Sequence, residues 1–409
     1  EDVDCACFDA NGDGTPDLYV ASGGNELPLS STALRDRLYL NDGRAGLRKA
    51  EASILDVGLR STGTVRAADF DGDGDQDLFV GTRLEPFAIG MPGDGLLLQN
   101  DGRGQFTDIT DSHAPELRAL GMITDAAWVD LDGDRDIDLV VAGEWMPLTI
   151  FENKGGRLSR KSAGLDQSHG WWLSLSVADL DGDGDQDLIA GNLGLNTRFK
   201  VSPERPARMY VGDFDRNRTL EQLITLYEED EAYPLVLRPD LVMQMPGLKR
   251  KYLKHANYRE QTIEDILEPD ALAAARVLTV YHGQSAVAYN DGAGHFALSP
   301  LPLEAQLSPV WASLPVDLDA DGHQDLVLGG NLMEAKPETG LYAGSYGLIL
   351  RGGARGGWQV QKDAIRLQGA VRGLAWLPTR QGTGLVVARN DASLQWLPLR
   401  PVRPGKPVP

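Results

Sequence analysis

Six nine-residue segments set oxygen-bearing side chains at positions one, three, five and nine and can offer a backbone carbonyl at seven, the arrangement that wraps a hard cation. They are Asp9, Asn11, Asp13, Thr15 and Asp17; Asp69, Asp71, Asp73, Asp75 and Asp77; Asp130, Asp132, Asp134, Asp136 and Asp138. The other three are Asp179, Asp181, Asp183, Asp185 and Asp187; Asp213, Asp215, Asn217, Thr219 and Glu221; Asp317, Asp319, Asp321, His323 and Asp325. Oxygen ligands at every second residue, with a glycine at position six for the sharp turn, follow the logic of the EF-hand loop. Gly14, Gly74, Gly184 and Gly322 hold that sixth position. Here the closing carboxylate comes at nine and an apolar run follows, so the segments are not EF-hands. A solvated acidic turn is the plainer reading of one copy. Six copies in register argue for an ion, because crowded carboxylates repel one another without one. Ca²⁺ suits such loops better than Mg²⁺, which demands a compact octahedron. The expectation is about four to six bound ions.

The copies differ. Those at Asp69 and Asp179 are complete. Arg135 replaces the sixth-position glycine of the third loop, and Arg216 and Arg218 flank acids of the fifth. The Asp213 loop is therefore expected to bind most weakly. His323, at position seven, needs to offer only its backbone carbonyl.

Sixty acidic residues face 39 basic ones, a formal charge of −21, which opposes nucleic-acid binding and electrostatic docking on anionic membranes. Twenty-five of those acids lie in the six loops, so the rest of the chain is nearly neutral. No apolar run reaches the ~20 residues of a membrane helix, so no membrane insertion is expected. Cys5 and Cys7, two apart on one strand face, read as packing residues. The chain starts at Glu1 and runs straight into a strand-like segment. It is read as a piece of something longer, with the remainder N-terminal to it.

Each loop runs into a short apolar segment such as Leu78-Phe-Val or Leu188-Ile-Ala, a strand bounded by glycine. Downstream come alternating strands that end in Asn41-Asp-Gly, Asn100-Asp-Gly, Asn153-Lys-Gly or Asn290-Asp-Gly, a hairpin signal. Loop, strand, hairpin and strand make one propeller blade. Loop starts are spaced by 60, 61, 49, 34 and 104 residues. The 34-residue step leaves room for a stripped blade only. The 104-residue step predicts an amphipathic helical insertion over 238–275, packed on the propeller without adding a strand. Leu374, Trp376, Leu385 and Trp396 mark a last unit without acids, and 401–409 is a proline-rich tail. The fold class is all-β: one domain over 1–400, a seven-bladed β-propeller, or eight blades if an N-terminal part supplies another repeat.

The loops resemble the FG-GAP/VCBS repeats of integrin α-subunit propellers and of bacterial secreted proteins. Leu18 to Glu26, Gly191 to Asn196, Met209 to Asp215 and Thr262 to Leu267 look closer to the propeller of the bacterial ASPIC/UnbV group, related to cartilage acidic protein. The resemblance implies an exported, calcium-stabilised propeller for adhesion or recognition, located extracellularly, in the periplasm or at the cell surface.

No metalloprotease, nucleophile-elbow, phosphate-loop or dinucleotide motif is present, and the six histidines are scattered along the chain. Trp171 and Trp172 are adjacent, so one of them is expected at a surface. Two functions remain. One is a non-enzymatic propeller that binds protein or glycan on the face away from the acidic loops. The other is a calcium-dependent, lyase-like polysaccharide enzyme, which would need a base in a deep cleft.

Overall fold

The computed structural model describes residues 2–44, 46–51, 57–336, 340–362, 364–379 and 382–398. The proline-rich tail lies outside them. Among these residues the chain forms seven antiparallel sheets. Six follow one another in sequence. Their first strands, Asp2–Phe8, Ser61–Ala68, Met122–Val129, Ser174–Ala178, Val310–Val316 and Val371–Thr379, each pack against the next. Propeller blades pack radially in this way.

The cores lie between sheets. Leu78 and Val80 face Tyr19 and Leu38 of the first sheet, while Phe79 and Leu97 face Ile123, Val141 and Phe151 of the third. Strand Asp77–Leu84 is thus covered on both sides, which is why its apolar residues run without alternation. Similar clusters join the third sheet to the fourth, the fourth to the fifth, and the fifth to the last. Close approach at these seams excludes side chains at some points. A Cβ on Gly191 would lie 2.2 Å from the carbonyl oxygen of Val310. Polar latches tie the first strands together as well: Arg66 bridges Asp4 and Asp125, and the hydroxyls of Ser176 and Ser313 meet at 2.8 Å.

One expectation fails here. The 34 residues from the Asp179 loop to the Asp213 loop do not hold a stripped blade. Strand Asp187–Gly191 pairs with Ala286–Asn290, so everything between them leaves and returns within the fourth sheet. That excursion holds a complete sheet, Ala207–Gly212, Glu221–Glu228, Glu231–Pro234 and Arg276–Val280. Spacing alone cannot separate a short blade from a nested one, because both need the same alternating strands. The predicted helical segment does occur, as short helices between 238 and 274 with no strand among them. Its apolar side chains pack on the nested sheet, Leu241, Met245, Tyr252, Ile263 and Ile266 against Tyr210 and Leu223. The last unit forms a three-stranded sheet, as its three apolar runs predict.

Candidate metal loops and the opposite face

Each acidic loop joins the first strand of its sheet to the second, and the Asn turn between third and fourth strands lies at the same end. In the nested sheet the Asp213 loop makes the equivalent connection. Position one organises the turn. Asp69 Oδ1 accepts from Gly72 at 2.8 Å and Oδ2 from Gly74 at 3.1 Å; Asp179 repeats this with Gly182 and Gly184. Aiming those N–H groups inward requires positive φ at positions four and six in all six loops. Glycine supplies it at most of them. Arg135 (79°), Arg216 (60°), Arg218 (72°) and Ala320 (60°) adopt it against their intrinsic preference.

Position nine is buried and closes the loop. Asp187 Oδ2 accepts from Leu180 at 2.9 Å and its Oδ1 from Asn290 at 2.9 Å; Asp17, Asp138 and Asp325 make the matching pairs of bonds.

Of the residues singled out in the sequence, the structure gathers a subset. Carboxylate oxygens lie within 4.8 Å of one another in Asp69, Asp71 and Asp77; Asp179, Asp181 and Asp187; Asp213, Asp215 and Glu221; and Asp317, Asp319 and Asp325. The third loop gathers Asp130, Asp132 and Asp134. Positions one, three and nine thus carry the convergence in most loops, and the acids at position seven stand outside it. In the first loop Asn11 replaces the third-position acid, and Asp13 instead accepts hydrogen bonds from Thr15 and Asn11. The Asp213 loop converges as the complete loops do.

These sites fit a cation. Asp75 Oδ1, Asp77 Oδ2, Asp132 Oδ1 and Asp319 Oδ1 are buried with no hydrogen-bond donor. Burial pushes the Asp77 carboxyl up to about 7 and those of Asp75, Asp138 and Asp187 to about 6, with neighbouring carboxylates adding to the effect. A divalent ion relieves both the burial and the repulsion.

Two loops already hold a cation of their own, which the sequence pattern did not reveal. Arg351 Nη1 sits 2.6 Å from Asp325 and 3.2 Å from Asp319, two of that loop's three convergent acids. Lys161 Nζ lies 3.2 Å from Asp132. Arg351 comes from the third strand of its sheet and Lys161 from the fourth of its own, each more than 25 residues beyond the acids it meets.

The opposite end differs in character. Second strands connect to third strands there, and each sheet connects there to the next. Leu29, Phe87, Ile89, Met333, Leu341 and Tyr346, on second-to-third connections, are exposed, Phe87 at 63% and Tyr346 at 64%. The nested sheet and its helices leave the fourth sheet from this same end. On the loop side, a polar cleft of 480 Å³ lies between the Asp179 and Asp317 loops, lined by Asp179, Gln186, His323 and Gln324.

Trp171 and Trp172 are both buried, contrary to expectation: Trp172 in the seam between third and fourth sheets, Trp171 between Trp145 and Phe199 of the excursion. The histidines are not all apart, since the backbone N–H groups of Tyr281 and His282 donate to the His169 carbonyl. Burial lowers the pKa of both rings. Cys5 and Cys7 are free and exposed rather than packed.

A family model described as FG-GAP-like repeat matches residues 9–80 and 130–190, so the chain carries repeats of this kind there. No curated protein matches the chain. Among solved structures it is similar to the Vibrio cholerae biofilm matrix protein Bap1, at 12% identity and a TM-score of 0.37, over 95% of this chain and 66% of that one. The BBS1N–ARL6DN complex (11%, 0.35) matches over 96% of this chain and 90% of that one. Rhamnogalacturonan lyase YesW (15%, 0.36) matches over 96% and 70%. The chain thus spans just under two thirds of the biofilm protein.

Proposed function

We propose that this chain is a calcium-stabilised recognition module of propeller type, exported from the cell and binding a protein or glycan ligand, without catalysis of its own. Its ions are assigned to the loops at Asp9, Asp69, Asp130, Asp179, Asp213 and Asp317, and its kinship to the propellers associated with ASPIC/UnbV modules. The observation that carries the reading is the division between two ends. One end holds the repeated carboxylate clusters, whose buried unpartnered oxygens call for a cation. The other presents exposed apolar side chains on its long connections, the feature of a binding surface.

Calcium in this reading is structural. Each loop ties first strand, second strand and hairpin of one sheet, so filling it fixes the sheet's edge without exposing a reactive ion. No helix among the described residues is long and apolar enough to cross a membrane, which is compatible with export. A glycan array and a protein pull-down, each in millimolar Ca²⁺ and in EDTA, test the function. Specific capture abolished by Phe87→Asp with Tyr346→Asp supports it. Turnover of a polysaccharide by the purified chain would replace it with the lyase-like reading.

A further inference from the structure

The arc of six sheets has five buried seams, and no apolar cluster among the described residues joins the last sheet to the first. The two faces that would form a sixth seam are apolar and uncovered. On the first sheet, Val3, Cys5 and Cys7 are exposed, and register places Leu18 and Val20, half-exposed, beside them. On the last, Ala375, Val386 and Trp396 align across three strands, with Leu377 two residues on; Leu377 and Trp396 are 46% and 40% exposed.

A second observation says what belongs there. Asn100 Nδ2 donates to Ala10 O at 2.9 Å, Asn153 Nδ2 to Phe70 O at 2.7 Å, and Asn290 Nδ2 to Leu131 O at 2.9 Å. In every case the turn asparagine of one sheet clasps position two of the acidic loop in the sheet before it. Asn41 occupies the same turn and makes the same bonds to its own loop, from its N–H to Asp17 and from Nδ2 to Pro16 O. Among the described residues it has no such bond to another loop, and it is only half-buried, whereas its three counterparts are buried. The last sheet cannot supply the acceptor. Thr379 pairs with Gly382, so only Arg380 and Gln381 separate its first two strands and the sequence places no acidic loop between them.

We propose that a further repeat of the same kind, carried by polypeptide N-terminal to residue 1, fills the seam between the last and first sheets. One face covers Val3, Cys5 and Cys7, the other covers Leu377 and Trp396, and its acidic loop offers a backbone carbonyl to Asn41. The direction of the clasp selects the preceding repeat. Burying two apolar faces and satisfying one amide would give two seams equivalent to the other five.

The test compares the 409-residue chain with the natural translation product, using maleimide labelling of Cys5 and Cys7 under native conditions. Both thiols should label within minutes in the 409-residue chain and at least about 100-fold more slowly in the natural product, by analogy with protected core segments. Asn41→Ala should lower the melting temperature of the natural product about as much as Asn153→Ala does, and that of the 409-residue chain by less. Equal labelling rates in the two proteins, or an Asn41→Ala effect no larger in the natural product, would overturn the proposal. So would protection of the thiols in the 409-residue chain by self-association, seen by sedimentation, since a second copy would then hold the seam.

Discussion

Asn153 reaches out of its own sheet: its Nδ2 donates at 2.7 Å to the carbonyl of Phe70, the second residue of the preceding acidic loop, while also holding Ile137 O of its own loop at 3.0 Å. The side chain is fully buried. One amide therefore fastens two neighbouring loops, and the repeated Asn-x-Gly turn is an inter-sheet clasp as well as a hairpin signal. Removing it leaves buried carbonyls without donors, which costs about 1–3 kcal/mol. Asn153→Ala should destabilise the chain by about that amount in urea unfolding. A loss as small as that of an exposed Asn→Ala substitution would contradict the clasp.

Arg351 gives a test of how one loop is neutralised. Its guanidinium bonds Asp325, a buried carboxylate, so Arg351→Met should destabilise the calcium-free protein by leaving that charge unpaired. The same change frees two acids for a cation. Calcium titration by calorimetry should then show tighter binding at the Asp317 loop, and added Ca²⁺ should recover much of the lost stability. If the variant binds no more tightly than the parent, the arginine is not competing with the ion.

Arg135 stands at φ 79° where complete loops carry glycine. Replacing it with glycine removes a left-handed strain of about 1–2 kcal/mol, offset in part by the entropy glycine loses on folding. Arg135→Gly should therefore be neutral to stabilising by about 1 kcal/mol, and should raise calcium affinity at that loop by removing a positive charge. Melting curves with and without calcium read both effects.

In EDTA, acidity should help. Burial raises Asp77 to about 7 and Asp75, Asp138 and Asp187 to about 6, so the folded chain holds these protons more tightly than the unfolded one. Their favourable contribution is complete below the ordinary carboxylate range and is lost as pH rises through 6 to 7. The melting temperature in EDTA should therefore rise from pH 7.5 to pH 5. In calcium that rise should shrink or reverse, since the ion selects the ionised form. A fall in EDTA over the same window would contradict the assignment of buried, crowded carboxylates.

The legible part of this fold is its local part. The loops, the apolar strand after each, and the Asn turns all announce themselves, because glycine at positions four and six and alternate acids satisfy requirements within nine residues. The nesting of the 207–280 sheet was not legible, since nothing in Asp187–Gly191 says that its next partner is Ala286–Asn290. Nor was the role of Arg351 or Lys161, whose meeting with the loops depends on strand register. Alternation put one of Trp171 and Trp172 at a surface, but Trp172 is buried in a seam and the excursion that carries Phe199 folds over Trp171. At the site, pattern suggested acids at five positions, and the structure narrows the convergent set to three in each of five loops.

If these clusters hold calcium, the stability of the fold depends on it. An ion bound only by the native state contributes about 2.7 kcal/mol at a hundredfold excess over Kd. Several filled sites would shift a chain of this size by on the order of 10 °C. The direct measurement is calorimetric melting of the whole chain in 2 mM-scale Ca²⁺ and in EDTA, repeated for Asp71→Asn and Asp181→Asn, which each remove one member of a convergent trio, and for exposed Asp230→Ala outside the loops. The melting temperature should be higher in calcium by about 10 °C, with a smaller increment in the two trio variants and an unchanged one in Asp230→Ala. Midpoints that agree in calcium and EDTA would contradict it and leave the loops as ordinary acidic turns.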